Sequence, residues 1–223
     1  MPKIQPEKSF LEELRKEFQP LRRKILAHPF VASVENGKAS REKLKYFVKQ
    51  QFHIINGDFR NLALYIAFSP TQWIRDFFLE LINGESSALY NLFKLAKAVG
   101  VDAKRLESSE PDAGSLAFTN YFTRLATYGT AGEIASALII DFEVWGENCN
   151  KLSKGLKKHY QLTSEDTRFL EGFYPINPKF YDNAMRIIGD FVTKEKERIK
   201  MRTAARLGLD YELIFWNTIH KHR

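Results

Sequence analysis

The chain has almost no cysteine. Cys149 stands alone among 223 residues, which excludes an intramolecular disulfide framework and a Cys-rich metal site. Long apolar runs are also missing, and none approaches the ~20 residues that a membrane-spanning helix needs. The opening Met-Pro-Lys-Ile-Gln-Pro-Glu-Lys lacks the apolar core of a signal peptide. A cytoplasmic protein that does not engage a membrane is expected. No convincing alternating strand, internal repeat, low-complexity tract or interdomain linker interrupts the sequence. One domain over residues 1–223 is therefore expected, and 44% hydrophobic content gives it enough apolar material for a core.

Acidic residues are in the minority. The net charge is +7, but the basic residues are dispersed, and their densest run, Lys194-Glu-Lys196-Glu-Arg198-Ile-Lys200-Met-Arg202, is broken by glutamates. That pattern makes a solvated helix face. Nucleic-acid binding needs a basic stripe and a reading module; the sequence has no such module, and nucleic acid is not an expected partner.

What is present is helical spacing almost throughout. A first helix is expected from about Ser9 to Leu26. After His28-Pro-Phe-Val31 and Gly37, Ser40 can cap a second reaching about Phe68. Ser69-Pro70-Thr71 opens a third that ends near Val99-Gly100, and Glu107 to Gly114 reads as a loop. A fourth runs to about Tyr128, and Gly129 separates it from a fifth reaching about Tyr160. Ser164 should cap a short helix ending near Tyr174-Pro175. Asn177-Pro178 looks like a cap with proline at the first helical position, opening a seventh helix to about Arg206. Gly208 should close it, and a last helix follows. The expectation is an all-α bundle of about eight helices.

Polar residues interrupt several apolar stripes. At about 100° per residue, Leu209, Phe215, Trp216 and Ile219 share a face with Glu212 at its centre. On the second helix, Gln51 and Asp58 fall within a stripe of Leu44, Phe47, Val48, Ile54, Ile55, Leu62 and Tyr65, whereas His53 points away with Lys49 and Arg60. On the third, Glu85 sits among Ile74, Phe78, Leu81, Ile82, Leu89, Leu92 and Ala96. A carboxylate centred on a buried stripe costs free energy unless it is paired, protonated or used. Helices that each aim such a group inward imply a shared polar cavity. Asp58, Glu85 and Glu212 would make that cavity acidic and suited to a cationic or amino-bearing heterocycle.

The fifth helix is less decisive. Ala135, Leu138, Phe142, Trp145 and Cys149 form its main apolar face. Glu143 aligns with Ser136, Glu147 and Asn150 in what can be a solvent stripe, yet Ile139 and Ile140 border it; spacing leaves both positions open. Cys149, without a histidine nearby in sequence, reads as inert packing.

The segments His28-Pro-Phe-Val31, Gly37, Phe47, Gln50-Gln51-Phe52, Ala137 to Trp145 and Glu212-Leu-Ile-Phe215-Trp216 together resemble the TenA/thiaminase-II family. Its superfamily shares a haem-oxygenase-like helical fold with PqqC and CADD-type proteins. The resemblance implies hydrolysis of an aminopyrimidine or of thiamin. In such enzymes a central-helix cysteine acts with an aspartate that holds the pyrimidine and a C-terminal glutamate as acid/base. Glu212 fits the glutamate. Gln51 stands where the aspartate is expected, Ile54 where a tyrosine is expected, and Phe142 where the cysteine is expected. Cys149 lies about 10 Å further along the helix and does not replace it.

Glu212 is therefore the expected acid/base, with Glu143 as a second carboxylate. Gln51, Asp58 and Glu85 would orient the ligand, and Phe142, Tyr174 and Trp216 would belong to the pocket. Glu85 and Glu143 also fit the glutamates of the CADD-like dinuclear site. However, Leu92, Phe173, Asn177 and Phe180 stand near the positions of its other ligands, so neither a metal nor another cofactor is expected. The alternatives are a non-catalytic binding member of the superfamily and a metal-independent, PqqC-like oxidase. The resemblance also implies a homo-oligomer, either dimer or tetramer.

Overall fold

The computed structural model describes residues 5–222. Among them the chain forms eleven helices and no strand. They are α1 (Pro6–Glu17), α2 (Gln19–Leu26), α3 (Pro29–Glu35), α4 (Arg41–Phe68), α5 (Gln72–Ala98), α6 (Ala103–Glu107), α7 (Ala113–Tyr128), α8 (Ala131–Tyr160), α9 (Arg168–Glu171), α10 (Pro178–Phe191) and α11 (Glu195–Lys221). No helix among them is long and apolar enough to cross a membrane.

Local chemistry sets most boundaries. Ser40 accepts from Lys43 N at 3.3 Å to start α4, and Asn177 accepts from Lys179 N at 2.9 Å ahead of Pro178 to start α10. Thr130 and Glu133 form a reciprocal capping box at the head of α8.

The helix count exceeds the expected eight for identifiable reasons. The first expected helix breaks at Phe18, because Pro20 lies in the first turn of α2 and can be tolerated only near a new helix start. Two short helices, α3 and α6, occupy stretches too brief for periodicity to reveal. Ser164 caps nothing; Thr163 and Asp166 instead bond to each other's backbone N–H groups ahead of α9.

The last helix begins earlier than its sequence implies. The chain breaks at 192–194, and α11 then runs unbroken through Gly208. Glycine closes a helix when it takes the left-handed conformation, and among the described glycines only Gly37 and Gly100 have positive φ. Gly208 stays helical and faces Ala137 of α8.

The helix α8 is the axis of the bundle. α3, α10 and α11 pack on it, while α4 lies between α5 and α7. Ile134, Ala137, Ile139, Ile140 and Val144 bury nearly its whole circumference. Polar groups caught there are mostly satisfied: Ser136 Oγ donates to Met201 O at 3.1 Å, and Asn148 Nδ2 donates to Ile25 O at 3.2 Å. Among the described residues, Asn148 Oδ1 and Asp141 Oδ1 have no partner, and Asp141 lies where the helices part around a chamber.

Candidate active site

The chamber lies between α4, α5, α7, α8 and α11. Gln51 and Asp58 reach it from α4, Glu85 from α5, Asp141 and Phe142 from α8, and Glu212 from α11. Its volume is about 60 Å³. A side lobe of about 50 Å³ shares Asp58, Glu85, Phe118 and Phe142 with it.

Asp141 and Glu212 form the chemical centre. They are 3% and 2% exposed, and their carboxyls lie within hydrogen-bond reach of each other. Asp141 Oδ1 and Glu212 Oε2 have no donor among the described residues. Two buried carboxyls in this position cannot both ionise cheaply. Desolvation is the main cause that lifts both above the ordinary carboxylate range, and the Glu212 charge raises Asp141 further. Trp216 Nε1 donates to Glu212 Oε1 at 2.9 Å; the hydrogen bond with Asp141, then this one, then the Arg22 charge moderate the rise at Glu212.

The opposite wall carries a second acidic locus. Asp58 accepts from Thr119 Oγ1 at 2.8 Å and from Asn61 Nδ2 at 3.3 Å. Thr119 can reach it because α4 has Gly57 next door, where a Cβ would come within 2.4 Å of Thr119 Oγ1. Desolvation nevertheless pushes Asp58 up to about 7. Glu85, raised to about 8 by desolvation and by the Asp58 charge, receives no hydrogen bond from any described residue. The chamber is thus rich in carboxyl groups but holds fewer negative charges than carboxyls at neutral pH. A cationic guest would draw protons off them.

Not every residue expected at the site faces the chamber. Gln51, Asp58, Glu85, Phe142 and Glu212 line it, as does Ile54. Trp216 is fully buried behind Glu212, stacked on Trp145 at 5.4 Å and on Phe47 at 6.1 Å, so it orients the glutamate and is not a wall. Tyr174 is 45% exposed; its neighbour Phe173 faces inward instead. That inward turn is possible because α8 has Gly146, where a Cβ would approach Phe173 O to 2.6 Å.

Glu143 is directed elsewhere. It accepts from Arg15 Nη2 at 2.6 Å and from Arg22 Nη1 at 2.5 Å. That clamp ties α1 and α2 to the back of α8. A second carboxylate does stand beside Glu212, but it is Asp141, which the sequence reading passed over. The signal for it was available: Asp141 lies three residues after Leu138 and four before Trp145, on the same helical face as both.

Cys149 is fully buried, and its thiol is pushed up by desolvation and by the Glu212 and Asp141 charges. It packs and does not ionise. His53 is half-buried outside the chamber, with Nε2 3.0 Å from Ser109 Oγ.

Residues 15–221 match the TENA/THI-4/PQQC family. The chain belongs to this family. An aminopyrimidine aminohydrolase from Halalkalibacterium halodurans is 27% identical over 132 residues, a match spanning 59% of each chain's length. A TenA homologue from Pyrococcus furiosus superposes with a TM-score of 0.75 at 23% identity, covering 94% of this chain and 99% of that one. A domain of unknown function with a heme oxygenase-like fold from Shewanella denitrificans superposes with a TM-score of 0.82 at 15% identity, covering 95% and 92%. The family's haem-oxygenase-like all-α fold is thus the fold of this chain. Within that fold, Asp141 is the α8 residue beside Glu212 of α11, and Phe142 lines the same chamber.

Proposed function

We propose that this TENA/THI-4/PQQC member binds a small amino-bearing nitrogen heterocycle in the chamber and hydrolyses a C–N bond of it, using Asp141 and Glu212 as an acid/base pair. The observation that carries this reading is the pair itself, two buried carboxyls within hydrogen-bond reach of each other, each with an oxygen unpartnered among the described residues. The ionised member takes a proton from a water whose oxygen attacks the ring-bearing carbon. The protonated member gives its proton to the departing nitrogen, so the C–N bond breaks as the C–O bond forms. Water is split between the two products and the pair ends with one proton, as it began. Such paired carboxyls with separated roles suit general acid/base work near neutral pH.

Binding falls to the opposite wall. Asp58 and Glu85 accept from ring or exocyclic N–H groups, Gln51 offers both a donor and an acceptor, and Phe118, Phe142 and Phe215 sandwich the ring. The similarity to an aminopyrimidine aminohydrolase supports an aminopyrimidine as the guest.

Thiamin and formylaminopyrimidine are the substrates to assay, following product by chromatography with wild type, Asp141→Asn and Glu212→Gln. Turnover that falls in both variants is the expected result. Ligand-induced thermal stabilisation without turnover in the wild type would instead mean a binding protein.

A further inference from the structure

A second cavity adjoins the chamber. Its volume is about 300 Å³, and it lies between α5 and the α9–α10 segment. The two cavities share Glu85, Phe142 and Phe173, so a ligand in one meets the other at those side chains. Their sizes and chemistries differ. The chamber's volume corresponds to roughly four to six waters, which is the room of one small ring. The outer cavity is several times larger.

The outer cavity's walls are mainly apolar and aromatic, with Phe77, Phe169, Ile176 and Phe180 among them. The charges at its rim are already committed. Arg168 pairs with Glu165 at 2.9 Å, and Glu80 pairs with Lys179 at 2.6 Å. Of the charged groups lining it, Glu85 alone has no ion partner among the described residues, and it stands at the junction.

We infer that the outer cavity is a second ligand compartment, holding an uncharged aromatic or apolar group attached to the ring that occupies the chamber, with Glu85 facing the linking atoms. The inference rests on the chamber being the ring site of the proposed function. Size sets the division: one ring fills the chamber, and the side lobe of about 50 Å³ has room for no more than a second small group. A substituent too large for that lobe must pass Phe142 and Phe173. Charge sets the class. A phosphorylated substituent finds no free cation, since Arg168 is taken by Glu165 and Glu85 repels it. An aromatic substituent finds apolar walls to bury against.

Two probes separate this from the ring site itself: 4-aminopyrimidine and 5-benzyl-4-aminopyrimidine, titrated calorimetrically. The benzyl compound should bind at least about tenfold more tightly to the wild type, since burying the added ring removes apolar area from water. Gly84 lines the outer cavity with open space around its Cβ position. Gly84→Trp should fill the compartment without disturbing the fold, and Ser87→Trp is an independent second plug from the same exposed face. Both should abolish the benzyl gain while leaving 4-aminopyrimidine binding within about twofold.

Equal affinity for the two probes in the wild type overturns the compartment, and so does a benzyl gain that survives both plugs. Binding of neither probe removes the ring site and the compartment together. Binding of 4-aminopyrimidine that is lost in Glu212→Gln, with no benzyl gain, leaves the ring site standing and removes the compartment alone.

Discussion

Trp216 lies one helical turn beyond Glu212 on α11 and donates its indole N–H to Glu212 Oε1 at 2.9 Å. The bond favours the ionised form of the glutamate and fixes its rotamer. Trp216→Phe keeps a ring in the stack but removes the donor. Glu212 should then hold its proton to higher pH, moving the limb of the pH–rate profile that reports it towards alkaline pH. The smaller ring should also cost about 1–3 kcal/mol of stability. An unshifted profile with the stability loss intact would reduce Trp216 to packing.

In the proposed reaction Asp141 and Glu212 act on one proton, so their removal should not be additive. Asp141→Asn and Glu212→Gln are each expected to lower kcat by about 10²–10⁴, and the double variant should be little worse than either single one. Both amides also spare the fold the cost of holding a proton. At pH 8 each variant should therefore melt above the wild type, with the gain shrinking at pH 5. Losses that multiply in the double variant would assign the two groups independent roles.

The remaining carboxyls make stability fall with rising pH. Glu85 is displaced from 4.5 to about 8 by burial and by Asp58. Between those values the folded chain keeps a proton that the unfolded chain has released, so raising pH across the window favours unfolding. Below the lower value the effect vanishes. Glu85 is only partly buried, so solvent screening reduces the cost above pH 8 below what the full displacement implies. Urea titrations at pH 5 and pH 8 should show the decline, and Glu85→Gln should flatten it. An unchanged slope in that variant would mean that Glu85 titrates normally.

How much of this was legible depends on whether the deciding contacts are local. Ser40, Asn177-Pro178 and the apolar periodicity located the main helices because a cap and a stripe act within a few residues. Gln51, Asp58, Glu85 and Glu212 showed themselves as polar intrusions on apolar faces, and all line the chamber. Asp141 shares a face with Leu138 and Trp145 in the same way, but on a helix buried around most of its circumference the stripe of Ser136, Glu143, Glu147 and Asn150 is the more conspicuous polar feature. Glu143 drew attention instead. Its partners Arg15 and Arg22 lie more than a hundred residues away in sequence, beyond any local pattern. The inward side of Phe173-Tyr174 is set by a turn, where helical spacing has no meaning.

Glu143 should be structural. Glu143→Gln leaves Arg22 without a counter-charge among the described residues and Arg15 with Glu12 alone, at a cost of about 1–3 kcal/mol. Because the residue does not line the chamber, kcat should stay within about threefold of wild type. Denaturant melts and steady-state kinetics on one preparation check both halves. A large kcat loss at unchanged stability would return Glu143 to the reaction.

Gly146 tests whether the chamber wall depends on one missing side chain. Gly146→Ala places a methyl group only 2.6 Å from Phe173 O, well inside van der Waals contact. Backbone cannot yield as a flexible side chain does, so the turn after α9 must move outward. Overpacking of this kind typically costs about 1–3 kcal/mol. The displacement also withdraws Phe173 from the junction that it shares with Phe142, so ligand binding should weaken while Asp141 and Glu212, on the far side, keep their geometry. KM should therefore rise with kcat largely retained. Phe173→Leu shortens the same wall without moving backbone and should reproduce the KM effect at a smaller stability cost. If Gly146→Ala lowers kcat as much as it raises KM, the strain has travelled along α8 to Asp141, five residues away, and the wall and the acid/base pair are mechanically one unit.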